Sequence, residues 1–100
     1  DIIHSMEVFY YFKEPNLLTK HIVDNWLNPG GTLVIGLDHY IGNPDSYHWS
    51  KDLNVHMSLL KEQDWLDMFT DAGLSGCKSW RANPSKDFPG TLVVVGDLLA

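Results

Sequence analysis

The sequence holds one cysteine, Cys77, and only seven lysines and arginines among 100 residues. A single thiol excludes an intramolecular disulfide framework and a cysteine-rich zinc site, and it suits a reducing compartment. Seven basic residues against thirteen acidic ones leave a net charge of −6, and the basic ones are scattered along the chain. A surface of that sign repels phosphate backbones, so nucleic acid is not an expected partner. No apolar run approaches the roughly 20 residues a membrane span needs, and no signal peptide is visible. There is no internal repeat, low-complexity tract or linker. These absences lead to one expectation, a soluble cytoplasmic protein without a membrane partner.

What is present is a core. Hydrophobic residues make up 44% of the chain, with four Trp, four Tyr and four Phe. That is too many apolar anchors for a disordered or fibrous chain, and the length suits one domain spanning residues 1–100. A domain of this size buries about two thirds of its unfolded surface, enough for a core. It is too small to hide both faces of a wide parallel sheet. The chain opens with Asp1-Ile2-Ile3 rather than Met, and these residues read as the middle of a strand. The expectation is a fragment, or a chain trimmed at its start.

Periodicity supplies the elements. Asp1 to His4 reads as a strand, followed by the aromatic stretch Ser5 to Phe12. Pro15 suits the first turn of a helix, whose inward residues are expected at Leu17, Leu18, His21, Ile22, Asn25 and Trp26. Pro29-Gly30-Gly31 ends it. Thr32 to Leu37 is a nearly continuous β-branched and apolar run, the pattern of a strand covered on both faces. Asp38 to Leu53 reads as a long loop, and loops of that length in compact domains are usually functional. Glu62 to Ala72 is a second helix with Trp65, Leu66, Met68 and Phe69 inward; Lys61 makes it a poor N-cap. Leu74 to Arg81 and Thr91 to Gly96 are the last strands. A parallel β-α-β unit followed by a helix and an antiparallel hairpin gives a mixed sheet, hence the α/β class.

Ligands of open α/β sheets bind outside the carboxyl ends of the strands. Two stretches occupy that edge: Ser5 to Tyr11 after the first strand, and Asp38 to Trp49 after the second. Both are rich in polar and aromatic groups, and they are expected to face one cavity.

These segments carry a resemblance. D-I-I-H-S-M-E-V-F-Y-Y-F, then L-N-P-G-G-T-L-V-I-G, resembles the second half of a class I S-adenosylmethionine-dependent methyltransferase. In that family the fourth strand reads D-[LI]-I, and L-x-P-G-G-x-L stands at the fifth. W-x-x-x-F-x-x-A-G-L, Trp65 to Leu74, is similar to the family's last helix before its sixth strand, and G-T-L-V-V-V-G to its seventh. The likeness spans nearly the whole chain. H-x-x-[QE]-x-x-Y-Y also resembles the histamine N-methyltransferase branch. The family's Gly-rich loop is missing, since the sequence contains no G-x-G. The resemblance therefore implies a C-terminal half of a Rossmann-like sheet, with one wall of the cofactor site and part of the substrate pocket.

The implied cofactor is S-adenosylmethionine and the implied partner a small-molecule methyl acceptor, an amine or a carboxylate. Methyl transfer from a sulfonium is an in-line displacement in which the protein positions and desolvates the acceptor. By resemblance, Ser5 and Met6 touch the methionine part of the cofactor; the alternative is a plain strand-to-helix turn. Glu7, Tyr10 and Tyr11 border the substrate, or serve as a helix-start carboxylate and core aromatics. His39 and Tyr40 reach over the substrate, and Trp49 caps the pocket or anchors its loop. Asp38, His39 and His4 fix no metal-ligand spacing, so no metal is expected. The alternative function is a non-catalytic truncated α/β module that oligomerises through its exposed sheet edge. A dehydrogenase half fits worse, because of the antiparallel hairpin.

Overall fold

The computed structural model describes residues 1–100. Its strands are β1 (Ile2–Met6), β2 (Thr32–Leu37), β3 (Ser75–Ala82) and β4 (Thr91–Asp97), and its helices α1 (Pro15–Asn25), α2 (Trp49–Leu53) and α3 (Glu62–Asp71). Short 3-10 turns stand at Phe9–Tyr11 and Pro44–Ser46. The sheet order is β1-β2-β4-β3. β1 and β2 run parallel, β4 is antiparallel to both β2 and β3, and β4 thus inserts between the second and third strands. The mixed α/β sheet expected from the sequence is the one observed.

Side chains alternate across a strand, so the register divides the sheet into two faces. Leu33, Ile35, Leu37, Leu92 and Val94 lie on one face and are fully buried under α1 and α3. Trp65 and Phe69 of α3 and Ile22 and Val23 of α1 complete this core. The other face, with His4, Val34, Val95 and Lys78 in one row and Met6, Gly36, Val93 and Trp80 in the next, carries no helix. Val34, Val93 and Val95 remain half-buried there, and Trp80 is 46% exposed. This corrects the expectation for β2. Its unbroken apolar run suits two covered faces, whereas within these 100 residues one is open.

Three boundaries also differ. β1 extends through Ser5 and Met6, which therefore lie in the strand rather than after it. The long loop holds a 3-10 turn and the short helix α2. The buried stripe of α1 is Pro15, Thr19, Ile22 and Val23, while Leu17 and Trp26 are each 57% exposed. Thr19 explains the rotation: its hydroxyl donates to Pro15 O within the helix (2.8 Å), so a polar side chain enters the core already satisfied. At α3, Asp64 compensates for the weak cap by accepting the Lys61 N–H at 3.1 Å. No helix is long and apolar enough to cross a membrane.

Candidate functional site

The parallel pair brings the carboxyl ends of β1 and β2 side by side. Glu7 N–H continues the ladder by donating to Gly36 O at 2.8 Å. The chain then turns sharply, because Glu7 adopts φ +58°. A left-handed conformation costs a non-glycine residue about 1–2 kcal/mol, and such strain collects at functional sites. The turn brings Tyr10 back over Glu7, where its hydroxyl donates to Oε2 at 2.6 Å.

The environment of Glu7 is anionic and partly dry. Burial is the main force raising its carboxyl pKa, and the Asp38 charge adds to it; the Tyr10 hydroxyl and the Asp38 backbone work the other way. Its second oxygen, Oε1, is buried without a partner. Burial also drives the Tyr10 phenol far upward, with Glu7 contributing, so it remains a proton donor. Asp38 itself is held by the Thr91 hydroxyl at 2.7 Å.

His39 is 1% exposed. Its Nδ1 lies 3.1 Å from Ser46 O, and a carbonyl only accepts, so the shared proton is on Nδ1. Nε2 is buried without a hydrogen-bond partner. Burial holds the imidazole pKa below its ordinary value, against the pull of the Ser46 and Met57 backbone. The ring stands edge-on to Tyr10 (centroids 5.3 Å apart) and stacks on Trp49 at 5.9 Å and 24°. Tyr11, 44% exposed, packs on Tyr10 with centroids 4.8 Å apart.

The structure thus assembles Glu7, Tyr10, Tyr11, His39 and Trp49 from the two stretches singled out in the sequence. Ser58 fastens the second stretch to the first, its N–H donating to Tyr10 O (2.6 Å) and its hydroxyl to Phe12 O (2.7 Å). Sequence reading passed over Ser58 and weighed Asp38 only as a metal ligand, because the contacts of both reach across the fold. Ser5 and Met6 diverge. Met6 lies on the open face, its thioether occupying the space above Gly36. Ser5 lies in the adjacent register position and lines a groove of about 240 Å³ with Ile3, Phe12, Ile22 and Trp26.

Tyr40, expected to reach over the substrate, stands in a different set of contacts from His39. It is fully buried, and its hydroxyl donates to Gly90 O at 2.5 Å. The Arg81 guanidinium sits 4.5 Å from its ring centroid and donates to its oxygen at 3.1 Å. Arg81 in turn pairs with Glu62 at 2.9 Å, and Ser79 donates to the other Glu62 oxygen. The Ser79 hydroxyl and Arg81 hold the Glu62 pKa down. This network ties β3 to α3 and to the loop before β4.

Similar solved structures carry the same architecture. All 100 residues align with the methyltransferase in a complex with the Haloferax volcanii Trm112 methyltransferase activator, at TM-score 0.81 and 26% identity. The structure of PigF with SAH matches over 99% of the chain at TM-score 0.69 and 17% identity. A Thermotoga maritima SAM-dependent methyltransferase, described as a possible histamine N-methyltransferase, matches over 96% at TM-score 0.67 and 15% identity. The fold is that of the class I S-adenosylmethionine-dependent methyltransferases. The chain spans 54%, 30% and 55% of those three methyltransferase chains, about a third to about half of their length. No family model and no curated protein sequence matches it.

Proposed function

We propose that this chain forms the substrate-side half of an enzyme that transfers a methyl group from S-adenosylmethionine to a small molecule, an amine or a carboxylate. The observation that carries the reading is the meeting of Glu7, Tyr10, His39 and Trp49 at the carboxyl ends of β1 and β2 in a methyltransferase fold. Ligands of open α/β sheets bind at that edge. The aromatic side chains desolvate and orient the acceptor, and Glu7 provides a hydrogen-bond acceptor for it.

The cofactor fit can be tested on Met6. It is 47% exposed, on the open face above Gly36. A flexible thioether there suits one flank of the cofactor's methionine part. Ser5 joins through its backbone. When bound, the cofactor supplies an electrophilic methyl group; these residues supply a single wall of its site.

Two measurements test this reading. The reading frame upstream of Asp1 should encode a strand followed by G-x-G, and its longer product should bind S-adenosylhomocysteine near micromolar by calorimetry. The 100-residue chain alone should bind it weakly or not at all. A stop codon shortly upstream, no binding by the longer product, or tight one-to-one binding by the short chain would overturn the half-enzyme.

A second reading rests on a different observation, the free edge of β1 beside an open apolar sheet face. Ile2 is 72% exposed at that edge. Such edges and faces invite pairing. In this reading the chain is a non-catalytic module that assembles with copies of itself.

A further inference from the structure

His39 and Tyr10 are 1% and 3% exposed, and neither of the two cavities in the molecule touches Glu7, Tyr10, His39 or Trp49. The group gathered at the carboxyl ends of β1 and β2 is shut away from solvent-filled space. The segment between β2 and α3 does the shutting, and its two parts are held in different ways.

Asp38 to Ser46 is tied down. Thr91 holds the Asp38 carboxylate, Asn43 Nδ2 donates to Asp38 O at 2.7 Å, and the Ser46 hydroxyl donates to Asn43 O at 2.8 Å. Ile41 N–H donates to Leu60 O at 2.8 Å, which fixes the far end of the segment against the near one. The stretch between, Tyr47 to Leu59, has little to hold it. Its helix α2 buries none of its five residues and starts without a side-chain cap. A helix that short is not stable by itself in water. Tyr47, Leu53 and Val55 are exposed.

Three contacts keep the stretch down. Trp49 stacks on the His39 ring, Met57 is buried with its backbone against the same imidazole, and Ser58 bonds to the turn after β1. The Ser58 bonds are the N–H to Tyr10 O at 2.6 Å and the hydroxyl to Phe12 O at 2.7 Å. The shut arrangement has a cost of its own, because His39 Nε2 is buried with no hydrogen-bond partner. Opening the stretch hydrates that nitrogen and leaves the sheet and its core intact. Segments with few buried apolar side chains are the ones that open without global unfolding.

We propose that Tyr47 to Ser58 forms a lid, shut in this structure, that lifts as a unit from His39 and Tyr10, with the two Ser58 hydrogen bonds as its clasp. That the lid admits a methyl acceptor rests on the methyl-transfer reading; its opening does not.

The histidines supply the test. His39 is buried, whereas His4, His21, His48 and His56 are exposed. The 100-residue chain is treated with diethyl pyrocarbonate at neutral pH, at levels that modify about one site per chain, and peptide mass spectrometry follows each ring. The His39 rate divided by the His4 rate gives the open fraction, and a denaturant titration gives the unfolded fraction. The open fraction should exceed the unfolded one by about 100-fold or more. Ser58→Ala, which removes one bond of the clasp, should raise the open fraction about threefold to tenfold. Tyr40→Phe, which weakens the core and leaves the clasp in place, should raise the unfolded fraction alone.

Equal open and unfolded fractions, an unchanged open fraction in Ser58→Ala, or a rise in Tyr40→Phe that matches Ser58→Ala overturns the lid. The wild-type ratio decides even where a variant fails to fold. S-adenosylhomocysteine binding by the longer reading-frame product is read separately. Its absence beside an open fraction of the expected size overturns the transferase and leaves the lid; its presence beside equal fractions overturns the lid alone.

Discussion

Tyr10 donates to Glu7 Oε2 at 2.6 Å across a single turn, while the other Glu7 oxygen lies buried without a partner. The pair is thus half-satisfied by design of the local chain. The left-handed Glu7 and the following 3-10 turn place the phenol and the carboxylate together, and His39 arrives from the neighbouring strand.

The charge on Glu7 is a burden to the fold. Its folded pKa lies above the unfolded one, so its contribution to stability is fully present in acid and is lost as pH rises through the folded value. Glu7→Gln should therefore gain melting temperature relative to wild type as pH is raised from 4 to 7.5. A difference that stays flat or shrinks over that range would contradict the burial argument. Tyr10→Phe, by removing the donor, should cost about 1–3 kcal/mol at neutral pH.

His39 works in the opposite direction. Its folded pKa is below 6.5, so its contribution is present above that value and is lost as pH falls through the folded pKa. His39→Asn should destabilise at pH 7 by about 1–3 kcal/mol, through lost packing on Tyr10 and Trp49. The deficit should narrow toward pH 5, where wild type must charge a buried ring. Denaturant titrations at the two pH values measure it, and a deficit that widens in acid would refute the assignment.

Tyr40→Phe separates core from site. It leaves Gly90 O and an Arg81 N–H without their partner, which should cost about 1–3 kcal/mol. The side-chain NMR signals of Tyr10, His39 and Trp49 should stay in place. A variant with native stability and moved signals would return Tyr40 to the pocket wall.

Gly36→Ala probes the Met6 wall. The added methyl group meets the end of the Met6 side chain, which is flexible, so the stability cost should be under about 1 kcal/mol. The Met6 methyl resonance should move, and S-adenosylhomocysteine binding by the longer product should weaken. An unmoved Met6 signal would show that the thioether does not occupy that space.

The open face and the β1 edge make self-association the test of the second reading. Light scattering at high micromolar concentration should show species above 11.4 kDa if that reading holds. Val95→Lys, at the centre of the open face, should then dissolve them. A clean monomer removes the reading.

Much of this was legible in the chain. Pro15 and Gly73 bound the two long helices because proline presets the first helical turn and glycine accepts the positive φ of a stop, +104° at Gly73; Gly30, at +87°, serves the turn into β2, after α1 has ended at Asn25. The apolar run Thr32 to Leu37 marked β2 to the residue, since β-branched side chains fit a pleated surface. The phase of α1 was not legible, because hydrophobicity assigns no inward place to Thr19, whose hydroxyl is satisfied inside its own helix.

By itself, then, the sequence determined the order of elements, the α/β class and the two stretches that leave the same sheet edge, because local propensity and strand direction follow from neighbouring residues. Only the tertiary structure decided which side chains meet there. Tyr40 and His39 are adjacent in sequence, yet the loop after β2 sends one into the Arg81–Glu62 network and the other against Tyr10 and Trp49. The unpartnered state of Glu7 Oε1 depends equally on what packs around it. Hydrogen-bond satisfaction is a property of all the elements that converge on an atom, and no stretch of sequence contains it.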